Sequence, residues 1–311
     1  YWVDGVAYRV FNGHPQLETI SRPAPDDGGV ERWRPRSLDD EWAFKVRDGV
    51  DAVRFGDPGW RLGFTRDAVN SYFIFRGLKK EGVIPEGVRF QVSIPTTLST
   101  IQVYFGSADR PKLIPGFDAA LGAEIAMLTE KIPPADLAIQ LDMAIETLDA
   151  YGLLPDGFTG DPVSRNTEPL RAVVPAIPEE VMLGYHLCFG TLGGWPVIEP
   201  DDLTQAVALA NALPAVSERR VDFIHIPTLD TIDDAFYAPL ADLRVDDARI
   251  YLGCIHNMGS FADRLGVASR HLADFGLSAY CGIGRSPPDE VPQFLQDHLD
   301  ALKIAEQQAA S

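Results

Sequence analysis

The sequence predicts an α/β protein of the (β/α)8 TIM-barrel class, on three observations. After residue 64, strand-like apolar runs alternate with helix-like amphipathic runs, six strands each followed by a helix, the pattern that builds a parallel sheet. Polar, titratable or sulfur-bearing residues recur where the strand-like runs stop, which in a barrel is the active-site end. No glycine fingerprint of the dinucleotide or P-loop kind follows a strand, so an open doubly wound sheet is the weaker alternative. The 311 residues, 46% of them hydrophobic and 23% charged, suffice for a large buried core and are read as one barrel domain over 1–311.

The elements follow in order. Residues 1–64 are irregular and aromatic-rich (Trp2, Tyr8, Phe11, Trp33, Trp42, Phe44, Phe55, Trp60), are interrupted by Pro23, Pro25, Gly28 and Gly29, and are expected to form a lid over the barrel mouth. Within them Asp48-Gly49 stands between alternating segments of 44–55 and predicts a hairpin. A helix capped by Thr65 runs to Glu81, followed by a strand at 89–94, a helix at 116–131, a strand at 137–141 and a helix at 142–150. A Pro/Gly-rich connection over 152–178 leads to a strand at 181–188. Helix 201–211, strand 221–226, helix 230–241, strand 249–256, helix 259–274, strand 277–281 and helix 288–307 complete the alternation. The first residue is Tyr1, not Met, so one strand is expected upstream of it and another in the irregular segment, bringing the count to eight.

Composition narrows the function. A net charge of −18 disfavours nucleic acid and anionic membrane as partners. The cluster Arg32, Arg34, Arg36 is followed at once by Asp39, Asp40 and Glu41 and reads as a solvated loop. Three cysteines do not make a disulfide framework, and neither a run of about 18 apolar residues nor a signal peptide is present. The expectation is a cytoplasmic protein acting on a small molecule, with a homodimer left open.

The strand exits carry the candidate chemistry. Gln91 and Ser93 share one strand face with Pro95, Gln140 shares one with Asp142, and His225 shares one with Pro227; Cys254 and His256 close another run, and Cys281 the last. His186 and Cys188, two residues apart in a strand, point the same way and can grip one zinc ion, with Cys281 as a third ligand. Three protein ligands leave a fourth position open, the arrangement of a catalytic zinc. Cys254 reads as a small hydrophobe, and His14, His271 and His298 as surface residues. Glu146, four residues after Asp142, reads as part of a solvated helix face or lies one turn inward.

Together these segments resemble the C-terminal catalytic barrel of cobalamin-independent methionine synthase, within the wider group that includes uroporphyrinogen decarboxylase. Phe90-Gln-Val-Ser-Ile-Pro-Thr is similar to an early strand of that family, Ile139-Gln-Leu-Asp142 to the segment whose Asp holds a substrate amino group, and His186-Leu-Cys188 to its zinc-binding pair. Cys254-Ile-His256 resembles the strand whose His donates a proton, and Cys281-Gly-Ile-Gly-Arg285 the segment supplying the last thiolate. The resemblance covers roughly 88–290. It implies one zinc per chain and a catalytic His256.

The departures matter as much. The family's remaining zinc ligand, a Glu, aligns with Pro227, so His225 or water is the expected fourth ligand. The family's Asp-Glu-Pro run is Asp142-Met-Ala-Ile here, and its folate-binding half-domain is absent. The implied activity is methyl or alkyl transfer involving a zinc-activated thiol or hydroxyl on a different, aromatic or otherwise small, substrate. Carbon–carbon cleavage at the same ion, a metal-free decarboxylase with Arg285 as anion clamp, and a non-catalytic binding barrel are the alternatives.

Overall fold

The computed structural model describes residues 6–21, 43–57, 61–153, 160–191, 195–281 and 286–309. Strands β1 (Leu17–Ser21) and β2 (Ala43–Val46) form an antiparallel pair, and β3 (Phe90–Pro95), β4 (Leu137–Met143), β5 (Met182–Leu187), β6 (Phe223–Pro227), β7 (Arg249–Ile255) and β8 (Gly276–Ala279) form a six-stranded sheet whose order is that of the sequence. Strands β3 and β4, β6 and β7, and β7 and β8 pair in parallel, and no closed barrel is seen among the described residues. The helices between them are α1 (Phe64–Lys80), α2 (Thr97–Tyr104), α3 (Arg110–Lys131), α4 (Ala144–Ala150), α5 (Pro162–Thr167), α6 (Thr204–Ser217), α7 (Asp234–Tyr237), α8 (Phe261–His271) and α9 (Val291–Ala309). No helix of the described residues is long and apolar enough to cross a membrane.

The chain divides into two compact units, Tyr1–Asp142 with Glu168–Gly184, and Met143–Thr167 with Tyr185–Ser311. In the first, the aromatic residues of the N-terminal segment form core: Phe11 meets Phe44, Phe55, Tyr104 and Phe105 edge to face, with centroids 5.0–5.9 Å apart. His14 is buried beside them and not on the surface, because Arg54 O sits 3.1 Å from Nε2 while Nδ1 accepts the Gln16 amide. Burial lowers its pKa. The Asp48-Gly49 turn forms, but β2 pairs with the upstream Leu17–Ser21 and the residues after the turn make no strand.

Helix α1 buries Phe64, Ala68 and Tyr72, a stripe at i, i+4, i+8. Its first turn is tied down by the buried Glu124 of α3, whose two carboxylate oxygens accept from the Gly63 and Thr65 amides at 3.0 and 2.9 Å. Thr65 therefore lies inside the helix, its hydroxyl donating to Glu124 O, and Gly63 takes the cap position. Helix α2 is absent from the expected pattern because its short, nearly all-buried sequence has no polar face to mark a period. The expected helix over 230–241 is one α turn followed by a 3-10 segment carrying Pro239.

In the second unit, the end of β5 packs on α6. Tyr185 is fully buried and its hydroxyl meets Ser217 Oγ of α6 at 2.6 Å. Strand β7 carries a register shift between Gly253 and Ile255, so Ile255 and not Cys254 sits beside Ala279.

The Glu124 clamp gives a first test. Glu124→Ala orphans two helix-terminal amides and should cost roughly 2–4 kcal/mol, whereas Glu124→Gln, which keeps one acceptor oxygen, should cost about half as much. Denaturant midpoints at constant m-value read both, and an Ala variant within 0.5 kcal/mol (roughly the noise of surface substitutions) of the parent would refute the clamp.

Candidate metal centre

Strand β5 delivers His186 and, one residue past its end, Cys188 to the same side. Segment 280–281, two residues past β8, brings Cys281 to them. One ligand atom from each of the three lies within 4.8 Å of the others. The two sulfurs are 3.0 Å apart and both cysteines are free thiols. Cys188 is buried, and its sulfur accepts the Gly190 amide at 3.2 Å. Gly190 reaches that position with φ +80, and a β-carbon there would come within 2.8 Å of Val197, so only glycine fits. Thr147 supports the same turn. Its hydroxyl donates to Met143 O at 2.6 Å and receives the Cys188 amide at 3.4 Å.

His225, in the middle of β6, is brought to His186. The Nδ1 atoms are 2.5 Å apart, the ring centroids 4.7 Å apart and the ring planes within 11° of each other. Rings lying face to face keep their atoms at roughly 3.5 Å or more, so these two are edge to edge and nearly coplanar, joined by one N–H···N hydrogen bond. Both imidazoles are buried. Burial, then the neighbouring His186, holds the His225 pKa well below its ordinary value. Gly253 on β7 makes room for this ring, since a β-carbon there would stand 2.6 Å from His225 Nε2 and 3.2 Å from Ala279 O.

The donor set fits a zinc ion. Two sulfurs and an imidazole converge in a largely buried place, the sulfurs close enough that tetrahedral zinc, with Zn–S near 2.3 Å, needs them only about 1 Å further apart.

His256 follows β7 in the same unit. Its Nε2 is 2.9 Å from Thr228 O, and Arg264 Nη1 is 2.9 Å from each ring nitrogen. Arg264 is fully buried, donates to the His256 and Asn257 carbonyls, and lies 3.6 Å from Asp230. Burial, reinforced by the Arg264 charge, pushes the His256 pKa down to about 4. Tyr280 packs edge-on to His256 and stacks on Trp195 at 4.8 Å. Cys254 is buried, its thiol pushed up to about 12 by burial.

Four other predicted residues meet in the first unit. Gln140 donates to Asp142 at 2.7 Å and to Ser93 at 3.2 Å, and accepts from Gln91 at 3.1 Å. Asp142 is buried, as is Glu146 of the second unit, which does not lie on a solvated face. Arg285 lies outside the described residues. Sequence reasoning missed Arg264, which sits among charged helix residues with nothing to mark its burial, and Gly190 and Gly253, whose roles depend on neighbours distant in sequence.

No protein-family model matches the chain, and no curated protein matches it. Among solved structures, one similar chain is a protein from Listeria monocytogenes proposed to be a vitamin-B12-independent methionine synthase, at 17% identity and a TM-score of 0.51, covering 85% of this chain and 73% of that one. Old Yellow Enzyme from Pichia sp. matches at 13% identity and TM-score 0.37 over 72% of this chain and 59% of its own. The carboxyl transferase domain of Rhizobium etli pyruvate carboxylase matches at 14% identity and TM-score 0.27 over 90% and 49%. The first likeness is one of fold, of the TIM-barrel-like kind.

The His256 environment predicts an acid limb in stability. The folded-state pKa of about 4 lies below the unfolded value of 6.5, so above pH 6.5 the residue contributes nothing to the pH dependence. As pH falls from 6.5 toward 4, the unfolded chain binds a proton that the folded chain refuses, and stability drops by up to roughly 3 kcal/mol. Denaturation of wild type and His256→Gln across this window should show a shallower fall for the variant. Equal slopes would contradict the burial of a neutral imidazole.

Proposed function

We propose that the chain is a zinc-dependent enzyme of the methionine-synthase-like barrel group, catalysing methyl or alkyl transfer to or from a thiol or hydroxyl of a small molecule. The six parallel strands would then be part of a (β/α)8 barrel. The convergence of His186, Cys188 and Cys281 carries this reading. Its support is chemical: soft ligands from three separated positions meet at strand exits, where enzymes of this architecture keep their sites.

His186, Cys188 and Cys281 would hold the ion. When bound, zinc supplies Lewis-acid activation, lowering the pKa of a substrate thiol or hydroxyl so that it reacts at neutral pH. With the ion bound, the Gly190 amide would stabilise Cys188 as a thiolate. His256 is neutral at pH 7, so its role would be to accept a proton, and this requires a ring nitrogen to be released from Arg264. In the first unit, Asp142, held by Gln140, is a carboxylate suited to a substrate ammonium group.

Elemental analysis of protein prepared without chelators should find one zinc per chain. Cys281→Ser should lose most of it, because a hydroxyl is a poor zinc ligand at neutral pH. Zinc-loaded protein offered aliphatic and aromatic thiols with N-methyl and S-methyl donors should form thioethers detectable by mass spectrometry, and Cys281→Ser should not. A wild type that neither carries nor takes up zinc would end the proposal; zinc without any transfer would end the transferase part.

A further inference from the structure

We infer that His225 is a positioning residue and not a metal ligand: it accepts the Nδ1 proton of His186 and thereby fixes His186 as the tautomer with its lone pair on Nε2, the nitrogen that would then ligate a metal ion. The purpose of this device rests on the zinc reading above. Its geometry does not.

A coplanar N–H···N contact between two neutral rings contains one proton, and which ring carries it decides which Nε2 is a lone pair. If His186 donates, its Nε2 carries the lone pair and His225 must carry its own proton on Nε2. If His225 donates, the reverse holds, and His186 presents an N–H where a ligand atom is needed.

The surroundings of His225 decide between the two. Its Nε2 and the Ala279 carbonyl oxygen both crowd the space beside the Gly253 α-carbon. Nε2 makes no hydrogen bond, and the oxygen beside it is an acceptor, which favours a proton on His225 Nε2. A protonated Nε2 leaves Nδ1 of His225 as a lone pair, so His186 is the donor. A backbone carbonyl has no other protonation state, so it anchors the sequence Ala279 carbonyl, His225, His186, ion.

The same contact argues against His225 as fourth ligand. Its Nδ1 is occupied by His186, and its Nε2 lies toward Gly253 and Ala279. Metal-bound imidazoles commonly use their second nitrogen to donate to an acceptor, and here a second imidazole takes that place.

Two measurements test this. Long-range proton–nitrogen NMR on metal-free, 15N-histidine-labelled wild type at neutral pH should show His186 protonated on Nδ1 and His225 on Nε2. The opposite assignment overturns the inference whether or not the protein binds metal. Second, cobalt(II) titrations should show that His225→Leu weakens binding about 10–100-fold, the usual cost of losing an outer-shell partner, while the charge-transfer and d–d bands keep their shape. His225→Asn, whose carbonyl can accept the same proton, should bind close to wild type. Altered bands in both variants would make His225 a ligand and refute the inference. A wild type that binds neither cobalt nor zinc but shows the expected tautomers would leave the inference standing and end the zinc proposal instead.

Discussion

Two thiol sulfurs 3.0 Å apart, one of them deep in the protein, cannot both ionise unless positive charge stands between or beside them. Most of what surrounds the cluster answers that constraint. The Gly190 amide offers a partial positive charge to Cys188, and the turn that aims it needs a backbone angle most residues avoid. His225 contributes no cation of its own, since burial and then the neighbouring His186 hold its pKa well below the ordinary value. A dication bound at this cluster would supply that charge and release the thiol protons.

Another titratable group of this unit is set oppositely. His256 faces a permanent cation, Arg264, which is itself buried and neutralised only at a distance by Asp230. A guanidinium held in this way disfavours protonation of whatever it touches. Residues within one unit thus separate into a cluster that attracts positive charge and an imidazole from which positive charge is excluded, a division of labour expected where a site activates a nucleophile and also manages its proton.

The legible part of this architecture is the part governed by local periodicity. Apolar runs such as Leu137–Met143 announce a strand because both faces are buried, and His186 and Cys188 announce a shared face because strands repeat every two residues. What could not be read depends on register. The contact of His186 with His225 needs β5 and β6 at one relative height, and nothing in either segment states that height. The shift at Cys254 breaks the alternation on which the reading of β7 relied. His14 and Arg264 look like surface residues because their polarity is visible in the sequence and their partners, the Arg54 and His256 carbonyls, are backbone atoms that every residue possesses. The aromatic N-terminal segment shows the same limit: its rings were expected over a mouth, and those that are described pack into the core of the first unit.

Gly253 lends itself to a statement about descent. The space its missing β-carbon leaves is the space the His225 ring fills, on the neighbouring strand. Neither residue is free to drift alone: an alanine at 253 would push against the ring, and a small residue at 225 would leave a hole that glycine cannot fill. In a set of relatives these two positions should therefore covary as a pair, glycine accompanying histidine and a larger residue accompanying its loss. That signature would mark the relatives that share a second imidazole behind the first.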